Sequence, residues 1–142
     1  MQGVLIYAPH DYDAIFEARL TARFGSTRQR ENEQWLIERA NGRVYIYRDL
    51  HIREYLESEA EQRVLAEMPQ LVAYAVNFSD LALVREVLLA IADDPELVVD
   101  NDMDVILRGP AFLQQLRERP DWDWVAESYA RWQAEQDEKA DN

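Results

Sequence analysis

The stretch QWLIERANGRVYIYR, residues 34–48, carries the clearest local signal in the chain. Two runs, Gln34 to Ala40 and Arg43 to Arg48, flank Asn41-Gly42. β-Branched and aromatic side chains favour a pleated strand. Asn-Gly supplies the positive φ angles of a type I′ turn, so the spacing predicts a β-hairpin. Trp35, Ile37, Val44 and Ile46 fall on one face of it, and Leu36, Tyr45 and Tyr47 on the other. Both faces carry apolar residues, so both are expected to be covered.

Upstream, Val4 to Ala8 is a short apolar run that predicts a strand, broken by Pro9. Asp11 or Asp13 can cap a helix with Ile15, Phe16, Ala18, Leu20 and Phe24 on its apolar side, stopped at Gly25. Downstream, Glu54 to Met68 reads as helix, with Tyr55, Leu56, Val64, Leu65 and Met68 apolar and Pro69 at its end. Leu71 to Phe78 reads as a buried strand. Ser79 or Asp80 caps a helix over Leu81 to Ala92, in which Leu81, Val84, Leu88 and Ile91 follow helical spacing. Leu83, Val87 and Leu89 widen that arc, and Arg85 and Glu86 mark its wet side. Leu97 to Val99 and Val105 to Leu107 are short strands. Gly109-Pro110 opens a helix in the favoured order, with Phe112, Leu113 and Leu116 inward and Pro120 as stop. A last helix is expected from Trp122 to Gln136. This order predicts one α+β (mixed α/β) domain over residues 1–133, a mixed sheet with a hairpin flanked by about five helices. An acidic tail, 134–142, should fray.

The 142 residues are 48% hydrophobic and 11% aromatic, enough for one domain with a real core. Cysteine is absent, which excludes disulfides and thiolate metal sites and fits a reducing compartment. The opening MQGVLIYAPHDYD does not read as a signal peptide, and no apolar run approaches membrane-spanning length. A soluble cytoplasmic protein is the expectation.

Charge is strongly uneven. The net is −13 overall. Residues 1–63 hold 9 basic against 11 acidic side chains, and residues 64–142 hold 6 against 17. Six carboxylates crowd the twelve residues from 93 to 104: Asp93, Asp94, Glu96, Asp100, Asp102 and Asp104. Such a surface repels nucleic acid, whose phosphates need concentrated Lys and Arg, and attracts basic proteins.

The same run invites a metal. Asp100, Asp102 and Asp104 match positions one, three and five of a calcium loop. Val105 then stands where the sharp turn needs Gly, and Ala111 where a bidentate Glu belongs. A solvated loop accounts for the run equally well, since Asp bonds the local backbone at turns. Nucleophilic catalysis finds little: His10 and His51 lie apart without a motif, and no Gly-x-Ser-x-Gly occurs. No catalytic residue, metal or cofactor is therefore assigned. Near the C-terminus, Pro120-Asp121-Trp122-Asp123-Trp124 precedes Val125, Tyr129 and Trp132, one helical stripe. Trp122 and Trp124 would point in different directions on a helix, so one suits the core and the other a surface.

The stretch LVAYAVNFSDLALVREVLLAIADDPELVVDND followed by GPAFLQQLRERPDWDW, spanning roughly residues 71–124, resembles small bacterial immunity proteins of polymorphic or contact-dependent toxin systems. The pieces that carry the resemblance are Phe78-Ser79-Asp80, Asp100-Asn101-Asp102, Gly109 with Phe112, and Pro120-Asp121-Trp122-Asp123-Trp124. Asp104 stands where that pattern often has Gly. The resemblance implies a non-catalytic cytoplasmic α/β protein that binds and occludes a cognate toxin. The expected partner is basic and nuclease-like. The expected contact is the acidic edge Asp93, Asp94, Glu96, Asp100, Asp102 and Asp104 with Trp122 and Trp124. Trp and Tyr also supply candidate homodimer contacts. Two other classes stay open on the residues: a small metal-dependent hydrolase built on Asp100, Asp102 and Asp104, and a regulatory or scaffold subunit.

Overall fold

The computed structural model describes residues 2–25, 27–29, 33–101, 105–120, 124 and 129–140. Its frame is one seven-stranded sheet. The strands are β1 (Gln2–Ala8), β2 (Arg28–Gln29), β3 (Gln34–Arg39), β4 (Gly42–Asp49), β5 (Val72–Phe78), β6 (Val98–Asp100) and β7 (Ile106–Arg108). Their order across the sheet is β2-β3-β4-β5-β1-β6-β7. The helices are α1 (Asp13–Phe24), α2 (Glu59–Glu67), α3 (Leu81–Ile91), α4 (Gly109–Glu118) and α5 (Tyr129–Ala140). A 3-10 turn spans Ile52–Glu54. The α+β class and the five helices follow the expectation. The mixed sheet does not, because every pairing is antiparallel.

The sheet carries two cores. On one face, Val4, Ile6 and Ala8 of β1, Trp35 and Ile37 of β3, Val44 and Ile46 of β4, and Tyr74, Val76 and Phe78 of β5 are buried. They pack with Phe16 and Leu20 of α1, with Leu83, Val84, Val87, Leu88 and Ile91 of α3, and with Phe112, Leu113 and Leu116 of α4, whereas Leu81 and Leu89, expected on the same arc, are exposed. Trp124 fills this core at 0% exposure, 5.8 Å from the Phe78 ring and edge-on to Phe112 at 5.5 Å. On the other face a smaller cluster joins Tyr7, Ala73 and Val98 to Ile52, Leu56, Val64, Met68 and Leu71.

The hairpin forms with the predicted face assignment: Trp35 sits opposite Ile46, Ile37 opposite Val44 and Leu36 opposite Tyr45. Its turn differs. Arg39 pairs with Gly42, so Ala40 and Asn41 are the central residues. Among the described residues only Glu33 and Gly25 have positive φ, so the turn is not type I′. Asn41-Gly42 serves a tertiary contact instead. Asn41 Nδ2 donates to the Asp80 carboxylate at 2.9 Å, and a Cβ on Gly42 would lie 2.5 Å from the Asp80 Cβ. Asp80 itself caps α3 by accepting from the Leu83 N–H at 2.8 Å. The hairpin tip thus docks on the start of α3.

The helix expected over 54–68 begins later. Ser58 and Glu61 form a reciprocal capping box that starts α2 at Glu59. Tyr55 consequently leaves the helix and projects at 68% exposure. At the other end, α5 runs to Ala140, through residues expected to fray, and Glu135 pairs with Arg119 at 2.6 Å. Arg85 is not only on the wet side of α3. It reaches α4 and donates to the Leu116 and Pro120 carbonyls at 2.8 and 3.1 Å, satisfying orphan acceptors at that helix end.

Candidate partner-binding surface

The segment between α3 and β6 holds the first half of the acidic run, and its carboxylates are tied inward. Asp94 accepts from Arg19 at 3.0 Å, from the Tyr12 hydroxyl at 3.1 Å and from the Glu96 backbone N–H at 2.9 Å. Glu96 accepts from the same Tyr12 hydroxyl at 2.8 Å. Arg19 also donates to the Ile91 carbonyl at 2.9 Å, so a cation of α1 meets the C-terminal end of α3. That contact offsets the unfavourable placing of Asp93 and Asp94 beside the negative end of the α3 dipole. Burial works against ionisation of Asp94. The Glu96 N–H, Arg19 and the Tyr12 hydroxyl outweigh it and hold the carboxyl below its ordinary range. Tyr12 moves the opposite way: burial first, then its acidic hydrogen-bond partners, push the phenol well up. Tyr74 behaves alike, raised by burial and by its 2.6 Å bond to Asp13.

The run does not form one exposed edge. Asp93 and Glu96 are exposed, and Asp93 makes a 3.9 Å contact with Arg117. Asp94 is half-buried. Asp100 is 1% exposed, in β6 beneath the second core, where the Tyr7 hydroxyl donates to it at 2.6 Å. Trp124 is likewise interior. Neither can offer its side chain to a partner in this folded state, which corrects the expectation for both. Both faces of β6 are covered, and Asp100 alternates onto the same face as Val98, against the second core. Asp102, Asp104 and Trp122 lie outside the described residues, as does Val125, so the calcium-loop spacing and the start of the aromatic stripe fall there too. Among the described residues no three His, Asp or Glu side chains converge as metal ligands.

Asn101, next in the chain, is 1% exposed and braces this corner. Its side chain donates to the Trp124 carbonyl at 2.6 Å and accepts from the Val105 N–H at 3.0 Å.

A different surface stands out once the sheet is assembled. The α2 layer covers β1, β5 and β6 on the second face but, among the described residues, stops short of β3 and β4. Running from β3 and β4 to the ends of β5 and β1 is a registered row of Leu36, Tyr45, Asn77 and Gly3, and in the adjacent row Tyr47 leads to Ala75, which is buried, and Leu5, which packs against the second core. Leu36, Tyr45, Tyr47, Asn77 and Leu5 are partly exposed, and Leu50 and Tyr55 project beside them at 80% and 68%. The Asn77 amide donates to the Tyr47 hydroxyl at 3.2 Å. Asn77 can lie this flat because Gly3 has no Cβ, which would fall 2.5 Å from Asn77 Oδ1. Tyrosines on the face of an antiparallel sheet give large, rigid contact area at low entropic cost. The sequence did place Leu36, Tyr45 and Tyr47 on a shared face. It could not say that this face lacks a helical layer.

A groove of about 520 Å³ also runs between α2 and β7, with the Glu67–Arg108 ion pair at 2.8 Å across it and Arg63–Glu59 at 2.9 Å on its rim. Its basic side chains already hold carboxylates. No helix among the described residues is long and apolar enough to cross a membrane. No protein-family model matches the chain, and neither a curated protein nor a solved structure does.

Proposed function

We propose that this chain is an immunity protein that binds and neutralises a cognate bacterial toxin by protein–protein occlusion. The observation that carries this reading is the uncovered half-sheet bearing Leu36, Tyr45 and Tyr47, flanked by Tyr55 and Leu50. Tyrosine-rich faces of this kind anchor tight interfaces, and a few such residues supply most of the binding energy. The net charge of −13 supports a basic partner. Complementary charge accelerates capture, to about 10⁸–10⁹ M⁻¹s⁻¹ in favourable cases at low salt. The sheet face supplies contact area in this mechanism, and exposed carboxylates such as Asp93 and Glu96 steer the approach. Occlusion needs no bond-making, so the chain acts by covering a toxin site rather than by chemistry of its own. The test is co-purification with the product of the adjacent gene, followed by rescue of cells expressing that product. A stoichiometric complex with rescue is the expected result. An adjacent product that neither binds nor harms cells overturns the reading and favours a scaffold subunit.

A further inference from the structure

Between the 3-10 turn and the uncovered half-sheet lies a groove of about 370 Å³, near the lower end of the ~300–1,000 Å³ of ordinary ligand clefts. Ile52 and Tyr55 form one wall, Tyr47 and Asp49 line another part, and Leu5, Ala75 and Asn77 are among its remaining lining residues. One feature separates it from the other surface charges. Asp49 is the only charged residue of the lining, and no Lys or Arg is among those residues. Its carboxylate accepts the His51 backbone N–H at 3.1 Å and, among the described residues, has no cationic partner. The nearby arginines are occupied elsewhere. Arg48 points to the opposite face, toward Asp11 and Asp13 at 3.5 and 3.8 Å, and Arg53 reaches the Leu71 carbonyl at 3.4 Å.

We infer that this groove receives an arginine side chain projected by the protein partner. The inference rests on the protein-binding reading above and adds the chemistry of the contact. A guanidinium is planar, stacks on tyrosine faces and pairs with a carboxylate through parallel N–H bonds. Tyr47 and Tyr55 offer the faces, Asp49 the carboxylate, and the Asn77 side-chain carbonyl a neutral acceptor. Arginine suits the site better than lysine, whose compact, strongly hydrated ammonium gains less from stacking. The acidity of the whole chain favours the cation electrostatically, and the lining contains nothing to repel it.

The experiment is an amide-resolved NMR titration of the intact chain with N-acetyl-arginine N-methylamide. The neutral isostere N-acetyl-citrulline N-methylamide is the control. The arginine probe should saturate in the millimolar range and shift the amides of Leu5, Ala75 and Asn77, with citrulline at least roughly fivefold weaker. Asp49→Asn, which keeps side-chain shape, should reduce arginine affinity to the citrulline level. Tyr55→Leu, at an exposed position, should weaken it about two- to fivefold. Equal response to both probes, or shifts centred on Asp93 and Glu96 with the groove silent, overturns the inference. Toxin binding is read separately by co-purification, so the groove can fail while the immunity reading stands, and the reverse.

Discussion

The Tyr7 hydroxyl donates to Asp100 at 2.6 Å, diagonally across the β1–β6 pairing in which Leu5 faces Asp100 and Tyr7 faces Val98. Both residues are fully buried. One member of the crowded acidic run is therefore part of the inner architecture. Tyr7→Phe removes this bond and leaves the packing. The expected loss is about 1–3 kcal/mol, the cost of taking a hydrogen-bond partner from a buried polar group, measured by urea unfolding. Asp100→Lys should fail to fold, because an ammonium would replace a hydrogen-bonded carboxylate inside the second core.

Asn101→Ala should cost about 1–3 kcal/mol. It strips partners from the Trp124 carbonyl and the Val105 N–H at once. Thermal unfolding checks this, and tryptophan fluorescence should report looser surroundings of Trp124.

Gly109→Ala should destabilise strongly, by about 1–3 kcal/mol or more. A Cβ there would meet the Ala92 carbonyl oxygen at 2.0 Å, and backbone cannot swing aside. Gly3→Ala would put its Cβ 2.5 Å from the Asn77 amide oxygen, which can swing aside, and 3.3 Å from the Val76 backbone oxygen, so it should cost less stability than Gly109→Ala. It should instead disturb the Asn77–Tyr47 bond and weaken partner binding.

The pH profile has a defined sign at each end. Tyr12 and Tyr74 have folded values raised above the ordinary ~10, so their contribution is fully present below pH 10 and is lost as pH rises through the folded values. Tyrosinate absorbance should show these two phenols ionising only at alkaline unfolding. Asp94 has a lowered folded value, so its contribution is present above the ordinary ~3.9 and is lost as pH falls through the folded value. Arg19→Met should move the acid midpoint to higher pH.

Association with the proposed toxin partner would separate steering from contact. Asp93→Lys should slow association and weaken its salt dependence, with little change in stability, since Asp93 is exposed and its contact with Arg117 is long at 3.9 Å. Tyr45→Ala should instead speed dissociation, with a loss of about 2 kcal/mol if it anchors the interface. Stopped-flow binding distinguishes the two.

Strand and helix periods were legible in the chain because they are local. Trp35, Ile37, Val44 and Ile46 took their face as alternation requires, and Val84, Leu88 and Ile91 went inward as helical spacing requires. The errors arose where tertiary contact overrode a local signal. Asn41-Gly42 looked like turn chemistry, yet its glycine is needed for close approach to Asp80. Tyr55 fitted a helical apolar stripe, yet the Ser58–Glu61 capping box, visible in the sequence, starts the helix beyond it. The acidic run looked uniform because composition carries no depth. Asp93 is outside, Asp94 bridges two helices and Asp100 is inside. The open half-sheet was not legible, because a missing layer is a property of the assembled domain.

The first strand of the chain lies in the middle of the sheet, between β5 and β6. Gln2 pairs with Phe78 and Leu5 with Asp100, so β1 waits for neighbours that leave the ribosome much later. Long-range closure of this kind slows folding, since loop entropy is lost before the contacts form. A sheet built this way is complete only after the chain has been synthesised through Arg108 of β7. On the proposed immunity reading, protection would depend on a standing pool of finished molecules rather than on new synthesis after exposure.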